Sequence, residues 1–384
     1  MLDWAYRFLI SNYRLENFPP GCVPTTRAIR TLENTLILPS TMGLHDANGK
    51  PIIGSWLERG PETQVDYPFG QPKSIDAKAY LAEAQELNEG VFLPYCNLNH
   101  FGHLLTESAG WLWPFLDKTK NLLKECDQET RLLIADLKED RSHHENVARL
   151  AGMPIDKVQS CVALERPIFC RRLHLPVPSM INRRWIADHH FEAVQRLTDS
   201  HYGITESERD ELLKISSDPN LSDKIYLSRS QLSPDHRLLI GESRLETELR
   251  NRGWKIVYPE LLSIKEQLRV LAQSQTIAGE SGSAFHLLMY FGHRLANKSV
   301  VMLGVRKPSR DPRITNFITQ FRKQSVGFVY FACLGFKLRR LRQSKPTADQ
   351  TPMMDRQMLA TPRWIASRID EFSRLDAPNR AGDS

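Results

Sequence analysis

From Asp223 to Gly304 short apolar runs of strand length alternate with amphipathic stretches of helical period, an order that few folds accept. "DKIYLSR" reads as a strand, "ESRLETELRNRG" as a helix ending at Gly253, "WKIVYPE" as a strand and "SIKEQLRVLAQSQ" as a helix. "TIAG" and "SVVMLG" add two strands with a helix pattern between them. Ser263, followed three residues later by Glu266, forms a capping box that fixes one helix start. This alternation predicts an α/β fold with a doubly wound parallel sheet, in which ligands sit at the carboxyl ends of the strands.

A chain of 384 residues exceeds one ordinary core, so two domains are expected. Upstream, "GVFLPYCN" looks extended, and "LNHFGHLLTESAGWLWPF" has helical spacing with Asn99 as its N-cap. "RLLIAD" reads as a strand and "ENVARLAG" as a helix stopped by Gly152. "RRWIADHHFEAVQRL" makes a helix that closes the first half. The expected boundaries are 1–215, 216–310 and a basic, partly amphipathic segment 311–384. In that last segment Thr361 and Pro362 open a helix carrying Trp364, Ile365, Ile369 and Phe372, which is expected to pack across the two domains.

Hydrophobic residues at 41% and charged residues at 25% are ordinary globular values and argue against a membrane bundle. The apolar run Val326 to Phe336 is about half of the ~20 residues a spanning helix needs; it suits lying on a membrane, not crossing one. The net charge is +6, with basic residues crowded at Lys337, Arg339, Arg340, Arg342 and Lys345, a cluster suited to an anionic surface. These cations are not interleaved with aromatics along a sheet face, so nucleic acid is not an expected partner. Six cysteines (22, 96, 126, 161, 170, 333) show no CxxC pair and read as reduced thiols. The N-terminus interrupts its apolar residues with Asp3, Arg7 and Arg14, unlike a signal peptide, and a cytoplasmic location is expected.

Two stretches carry candidate chemistry. The first is "TIAGESGSAFHLLMYFG", a strand end followed by a glycine turn and a helix start. As a nucleophile elbow it fails: Ser283 replaces the fifth glycine, and no acid separates Ser281 from His293, the last histidine of the chain. As a phosphate cradle it is coherent. Gly279 and Gly282 let the backbone approach an anion, and the helix beginning at Ser283 presents its N–H groups. Arg229, at the end of an earlier strand, and Arg237, in the following loop, add two guanidiniums that neutralise a diphosphate without metal.

The second is "NHFGHLLTES", where His100, His103 and Glu107 share one helix face. The spacing fits a base with its orienting carboxylate, a structural histidine or a metal pair. The HExxH arrangement of zinc helices is absent.

The run from Lys224 to Gly292, together with "NHFGHLLTESAGWLWP", resembles glycosyltransferase family 61, over roughly residues 90 to 305. The resemblance rests on Arg229, on Arg237 with Glu242, on Pro259–Glu260, on Glu266–Gln267 and on the glycine loop. Ser281 stands where the family often has His, Leu287 where Asn is common, and Gly241 at a position that is often Asn. It implies a GT-B architecture, with two Rossmann-like domains facing across a cleft and the nucleotide sugar held mainly by the C-terminal one. It also implies inverting transfer from a nucleotide sugar, commonly a UDP-sugar, to a saccharide or lipid-linked saccharide in bacterial surface-polysaccharide synthesis.

On that reading His103, oriented by Glu107, is the base, with Glu280 as the second candidate. Arg229, Arg237, Glu260, Gln267, Gly279, Ser281, Gly282 and Ser283 hold the donor. No cofactor or metal is expected, since no D-x-D sequence occurs in the chain. The enzyme is expected in the cytoplasm, peripheral on the inner face of the membrane. The alternative is a non-catalytic binding or assembly subunit with the same fold.

Overall fold

The computed structural model describes residues 11–14, 27–39, 43–59, 65, 67–68, 71–116, 126, 129–135, 141–221, 223–232, 239–304, 312–332, 357–358 and 362–375. Arg237, the basic 337–345 cluster, Cys22 and Cys333 lie outside the described residues. The chain forms two compact units, Gly21–Ile204 and Thr205–Ser384, the latter joined by Met1–Pro20. The N-terminal stretch enters the second unit through its strand β1 (Ser11–Arg14), and the change of unit falls at 204/205, ahead of the expected 215/216.

The Gly21–Ile204 unit is built on a mixed sheet. Its strands are β2 (Ile29–Ile37), β3 (Leu44–Asp46), β4 (Gln85–Leu93), β5 (Arg131–Ile134), β6 (Val158–Ser160) and β7 (Ile168–Pro176), in the order β3-β2-β7-β4-β5-β6. Strands β7, β4, β5 and β6 run parallel, as a Rossmann-like reading expects, whereas β2 pairs antiparallel with β7 and β3. The β2–β3 connection is too short for the crossover a parallel pair needs, so this edge turns back as a hairpin. Between β4 and β5 runs helix α1, in three segments: Phe101–His103, a π-helical Leu104–Ser108, and Ala109–Leu116. Helix α2 (Arg141–Ala151) ends at Gly152, whose φ of +69° is the left-handed stop that the sequence suggested. A small hairpin, β8 (Met180–Ile181) and β9 (Trp185–Ile186), precedes α3 (Asp188–Tyr202).

The second unit has the regular alternation read from the sequence. Helix α4 (Glu206–Ser216) leads to β10 (Asp223–Leu227), the two-residue β11 (Leu239–Ile240), α5 (Glu242–Arg250), β12 (Lys255–Val257), α6 (Ile264–Gln273) and β13 (Ser274–Glu280). A 3-10 helix, Ser283–Leu295, then β14 (Ser299–Gly304), α7 (Pro312–Lys323), β15 (Gly327–Ala332), β16 (Gln357–Met358) and α8 (Pro362–Leu375) follow. The sheet order is β12-β10-β13-β14-β15-β1, all parallel except β1, while β11 and β16 pair apart from it. The Ser263–Glu266 capping box is formed in both directions, 2.8 Å from Ser263 N–H to the carboxylate and 3.3 Å from Glu266 N–H to Ser263 Oγ. Lys265 on α6 pairs with Glu208 on α4 at 3.0 Å, which ties α4 to this unit.

Two expectations for residues 311–384 are corrected. The apolar run after Val326 is no membrane-lying segment: its described part is β15, a strand inside the sheet with Phe328, Val329, Tyr330 and Phe331 all buried. An uninterrupted apolar run is what a parallel strand covered on both faces requires. The C-terminal amphipathic helix, read as a bridge across the domains, places Ile365, Ile369 and Phe372 in this unit's own core with Tyr226, Leu245, Trp254 and Val301. Asp370 on that helix accepts from Lys224 Nζ at 2.7 Å and Trp254 Nε1 at 3.3 Å, which fixes it across β10. Among the described residues no helix is long and apolar enough to cross a membrane.

Candidate active site

Strand order decides where the C-terminal unit can hold a ligand. Numbered within the unit, the parallel strands run 2-1-3-4-5, so the connections leaving β10 and β13 part company at the carboxyl edge between those two strands. Leu227 pairs with Gly279, which puts the residues that follow each strand side by side at this switch point: Ser228–Arg229 from β10 and Glu280–Ser283 from β13. Arg229 Nη1 lies 3.3 Å from Glu280 Oε2.

Two glutamates on the first turns of α5 complete the crevice. Glu246 accepts from Ser228 Oγ at 2.7 Å, Ser230 Oγ at 2.6 Å, Tyr258 OH at 2.8 Å and Arg250 Nη2 at 3.1 Å. Burial works against its charge, but these donors outweigh it and hold the pKa below the usual value. Glu246 is therefore an anionic post that ties the loop after β10 to the end of β12. Glu242 differs. Its Oε1 accepts from Tyr226 OH at 2.9 Å and Arg229 N–H at 3.2 Å, while its Oε2 is buried with no hydrogen-bond partner among the described residues. Burial pushes its pKa up to about 7, helped by the Glu280 and Glu246 carboxylates and opposed by the two hydrogen bonds.

The glycine loop is less uniform than a cradle reading of every residue implies. A Cβ at Gly279 would lie 2.8 Å from the Leu227 carbonyl and 3.3 Å from Phe285, so this glycine serves strand packing rather than anion approach. The Ser281 N–H is taken by the Leu303 carbonyl at 2.8 Å. Gly282 is extended, and a Cβ there would come to 3.6 Å from Arg229 Nη1; its missing side chain leaves room beside the guanidinium. The helix opened by Ser283 is a 3-10 helix rather than an α-helix, broken at Gly292 (φ 55°). Its first N–H groups, at Ser283 and Ala284, have no intrahelical partner. Glu260 is exposed on the 3-10 turn after β12. Gln267 donates to the Pro259 and Leu262 carbonyls at 2.8 and 3.1 Å and shapes that turn.

In the N-terminal unit, α1 positions the second candidate group. Its π-helical turn widens the helix over Leu104–Ser108, and His190 Nε2 sits 3.2 Å from the Leu105 carbonyl, while Thr106 Oγ1 lies 2.8 Å from Gly102 O and turns its single proton to Glu107. Glu107, on this turn, is buried and carries a ring of donors. Its Oε2 lies 2.9 Å from His103 Nδ1 and accepts from Thr106 Oγ1; its Oε1 accepts from Arg59 Nη2 at 3.0 Å and from Asn182 Nδ2. Burial alone would raise the carboxyl, yet the His103 hydrogen bond and charge, with Arg59 and Thr106, outweigh it and hold the pKa near 2. His103 is half-exposed and packs against the edge of Tyr95, whose hydroxyl is pushed up to about 12 by burial and by the Glu107 charge. His100 is not a member of this pair: it caps the helix, its Nδ1 accepting from His103 N–H at 3.4 Å.

Arg59, Asn182, Glu246 and Tyr258 were not singled out in the sequence. Arg59 and Asn182 reach Glu107 from 48 and 75 residues away, and no local pattern announces them. Elsewhere in that unit Glu89, Cys126 and His174 bring potential ligand atoms within 4.8 Å, but Glu89 already accepts from Thr130 at 2.9 Å and pairs with His174 at 3.1 Å and Arg172 at 3.4 Å. Compared with known families, residues 101–302 match the family model described as Glycosyltransferase 61. A comparison with curated proteins gives no match.

Proposed function

The chain belongs to glycosyltransferase family 61, and from that premise we propose a metal-independent, inverting transferase that moves a sugar from a UDP-sugar to a saccharide or lipid-linked saccharide. The observation that carries the reading is the switch-point crevice of the C-terminal unit, where Arg229, the open backbone at Gly282 and the first turn of the Ser283 helix converge. These groups are suited to the leaving diphosphate, whose charge grows as the glycosidic bond breaks. The Arg229–Glu280 pair would open to receive it. Glu242 Oε2 is the group poised to hydrogen-bond the nucleotide, as donor or acceptor according to its protonation.

In the N-terminal unit His103 would take the proton of the acceptor hydroxyl as that oxygen attacks the anomeric carbon opposite the leaving group. Glu107, ionised across the working pH range, holds the ring through Nδ1 and stabilises the imidazolium, leaving Nε2 for the substrate. The GT-B arrangement, a role in bacterial surface polysaccharide and peripheral membrane attachment through the basic 337–345 cluster belong to the same proposal. The absence of a D-x-D sequence supports transfer without metal.

Calorimetric titration of UDP in the presence of EDTA tests it, with GDP and CMP as comparators. Wild type is expected to bind UDP, Arg229→Ala to bind at least tenfold more weakly, about 1.4 kcal/mol, and His103→Ala to keep UDP affinity while losing turnover. Failure of folded wild type to bind any of these nucleotides at millimolar concentration would overturn the donor-site assignment in favour of a non-catalytic subunit.

A further inference from the structure

A cavity of about 160 Å³ lies within the N-terminal unit; Trp56, Trp111, Trp185, Met180 and Ile181 supply apolar lining, and Arg30, Glu58, Glu107 and Asn182 are its charged and amide residues. Two of the lining residues carry a polar atom that is buried without a hydrogen-bond partner among the described residues: Trp56 Nε1 and Asn182 Oδ1, each on a side chain more than nine-tenths buried. Buried polar groups are normally paired, so an unpaired donor and an unpaired acceptor on residues that line one cavity point to a ligand that supplies both. The orientation of Asn182 follows from its neighbour. An ionised carboxylate only accepts, so the amide must turn Nδ2 to Glu107 Oε1 and present Oδ1 as an acceptor. The indole N–H of Trp56 only donates.

The pocket is also held in shape before anything binds. Trp56 lies flat against Gly43, where a Cβ would come to 2.3 Å from the indole Cδ2, and the edge of His45 meets it with ring centroids 5.8 Å apart. Any side chain at residue 43 would displace the indole.

We propose that this pocket is the subsite for one neutral monosaccharide unit of the acceptor. The inference rests on the transferase reading and names the acceptor chemistry of its His103–Glu107 site. A sugar ring offers C–H faces for aromatic walls and hydroxyls that both donate and accept, matching Asn182 Oδ1 and Trp56 Nε1 at once. An acyl chain would leave both atoms unpaired, and a phosphate or uronate would meet two carboxylates, Glu58 and Glu107, against one guanidinium, Arg30. A cavity of about 150 Å³ holds a benzene-sized ring, so this volume takes the ring of one sugar and not two. Glu107 lines the pocket, holding Asn182 and Arg59 with one oxygen and His103 with the other, so a bound ring abuts the residue that orients the base.

Saturation-transfer NMR with the methyl glycosides of glucose, galactose, xylose and N-acetylglucosamine tests the pocket on the full chain without a donor. Irradiating aromatic resonances is expected to saturate the ring protons of at least one glycoside. Trp56→Phe, which keeps an aromatic ring and loses the N–H, should weaken that glycoside more than about fivefold; Ile181→Phe, which fills the lined space, should abolish the signal. Melting curves identify variants that fail to fold, and the wild-type spectrum stands without them. The proposal is overturned if no glycoside binds at tens of millimolar, if cyclohexanol binds and no glycoside does, or if both folded variants bind like wild type. Loss of nucleotide binding with glycoside binding intact would sink the transferase reading and leave the sugar pocket; the reverse result would sink the pocket alone.

Discussion

Glu107 and Glu242 are buried to nearly the same depth, 3% and 2% exposed, yet their carboxyls are driven in opposite directions, one to about 2 and the other to about 7. Desolvation pushes both upward, so depth does not separate them; the neighbours do. Glu107 is ringed by a histidine, an arginine, an amide and a hydroxyl. Glu242 has one phenol, one backbone N–H and two other carboxylates close by, and one of its oxygens has no partner. The first is a finished ion pair that can orient a base. The second is an unfinished site, as expected of a group completed by a ligand.

The largest break in this comparison comes from Glu107→Ala. Removing the carboxylate strands Arg59 and releases His103, and breaking a buried pair in this way costs about 3–5 kcal/mol. Urea unfolding at neutral pH measures it; a loss below about 1 kcal/mol would show that the ring of donors contributes little. The pH course has a definite sign. Because the folded carboxyl lies below its unfolded value, the stabilisation is present above about pH 4.5 and fades as pH falls toward 2. Glu107→Gln should remove that acid-side dependence.

Glu242 should behave in the opposite sense. Its folded carboxyl lies above its unfolded value, so wild type loses stability as pH rises from about 4.5 to about 7, and the full penalty is present above that. Glu242→Gln stays neutral, keeps an acceptor for Tyr226 and should be the more stable protein above pH 7, by on the order of 3 kcal/mol. Unfolding curves of both proteins at pH 5 and pH 8 decide it: equal stability at pH 8 would mean that Glu242 is not paying for burial. Bound UDP should narrow the difference by giving Oε2 a partner.

How legible each carboxylate was in the sequence differs for a physical reason. The C-terminal unit announces itself because a doubly wound sheet is written in local periodicity: the capping box at Ser263, the strand ends at Leu227 and Glu280 and the glycine after α5 all lie near their expected places. Arg229 and the 280–283 turn therefore arrive at one sheet edge from strand order alone. The N-terminal unit is harder, because its sheet is mixed and its site is closed by residues distant in sequence. His103 and Glu107 were readable as a helical i, i+4 pair, but the π-helical turn that carries Glu107, with its Leu105 carbonyl met by the distant His190, was not read from the sequence. The apolar run at β15 and the amphipathic helix α8 misled for one cause: apolarity shows that a segment is buried, not what buries it.

The glycines flanking Glu280 sharpen the same contrast between finished packing and open site, with the smallest effects. Gly279→Ala would press a methyl onto the Leu227 carbonyl, a backbone atom held in the ladder at 2.8 Å, and should cost about 1–3 kcal/mol of stability. Its UDP affinity, in the surviving folded protein, should change little. Gly282→Ala meets the end of the Arg229 side chain at 3.6 Å and the Glu280 carbonyl at 3.7 Å, both ordinary van der Waals contacts, in an extended conformation any residue adopts, so its stability should stay within about 0.5 kcal/mol of wild type. The added methyl does narrow the space beside Arg229, and UDP should bind a few-fold more weakly. Thermal melts and nucleotide titrations on the two variants separate the roles. A Gly282 variant with unchanged affinity would move the anion away from that backbone, leaving Arg229 as the group that holds it.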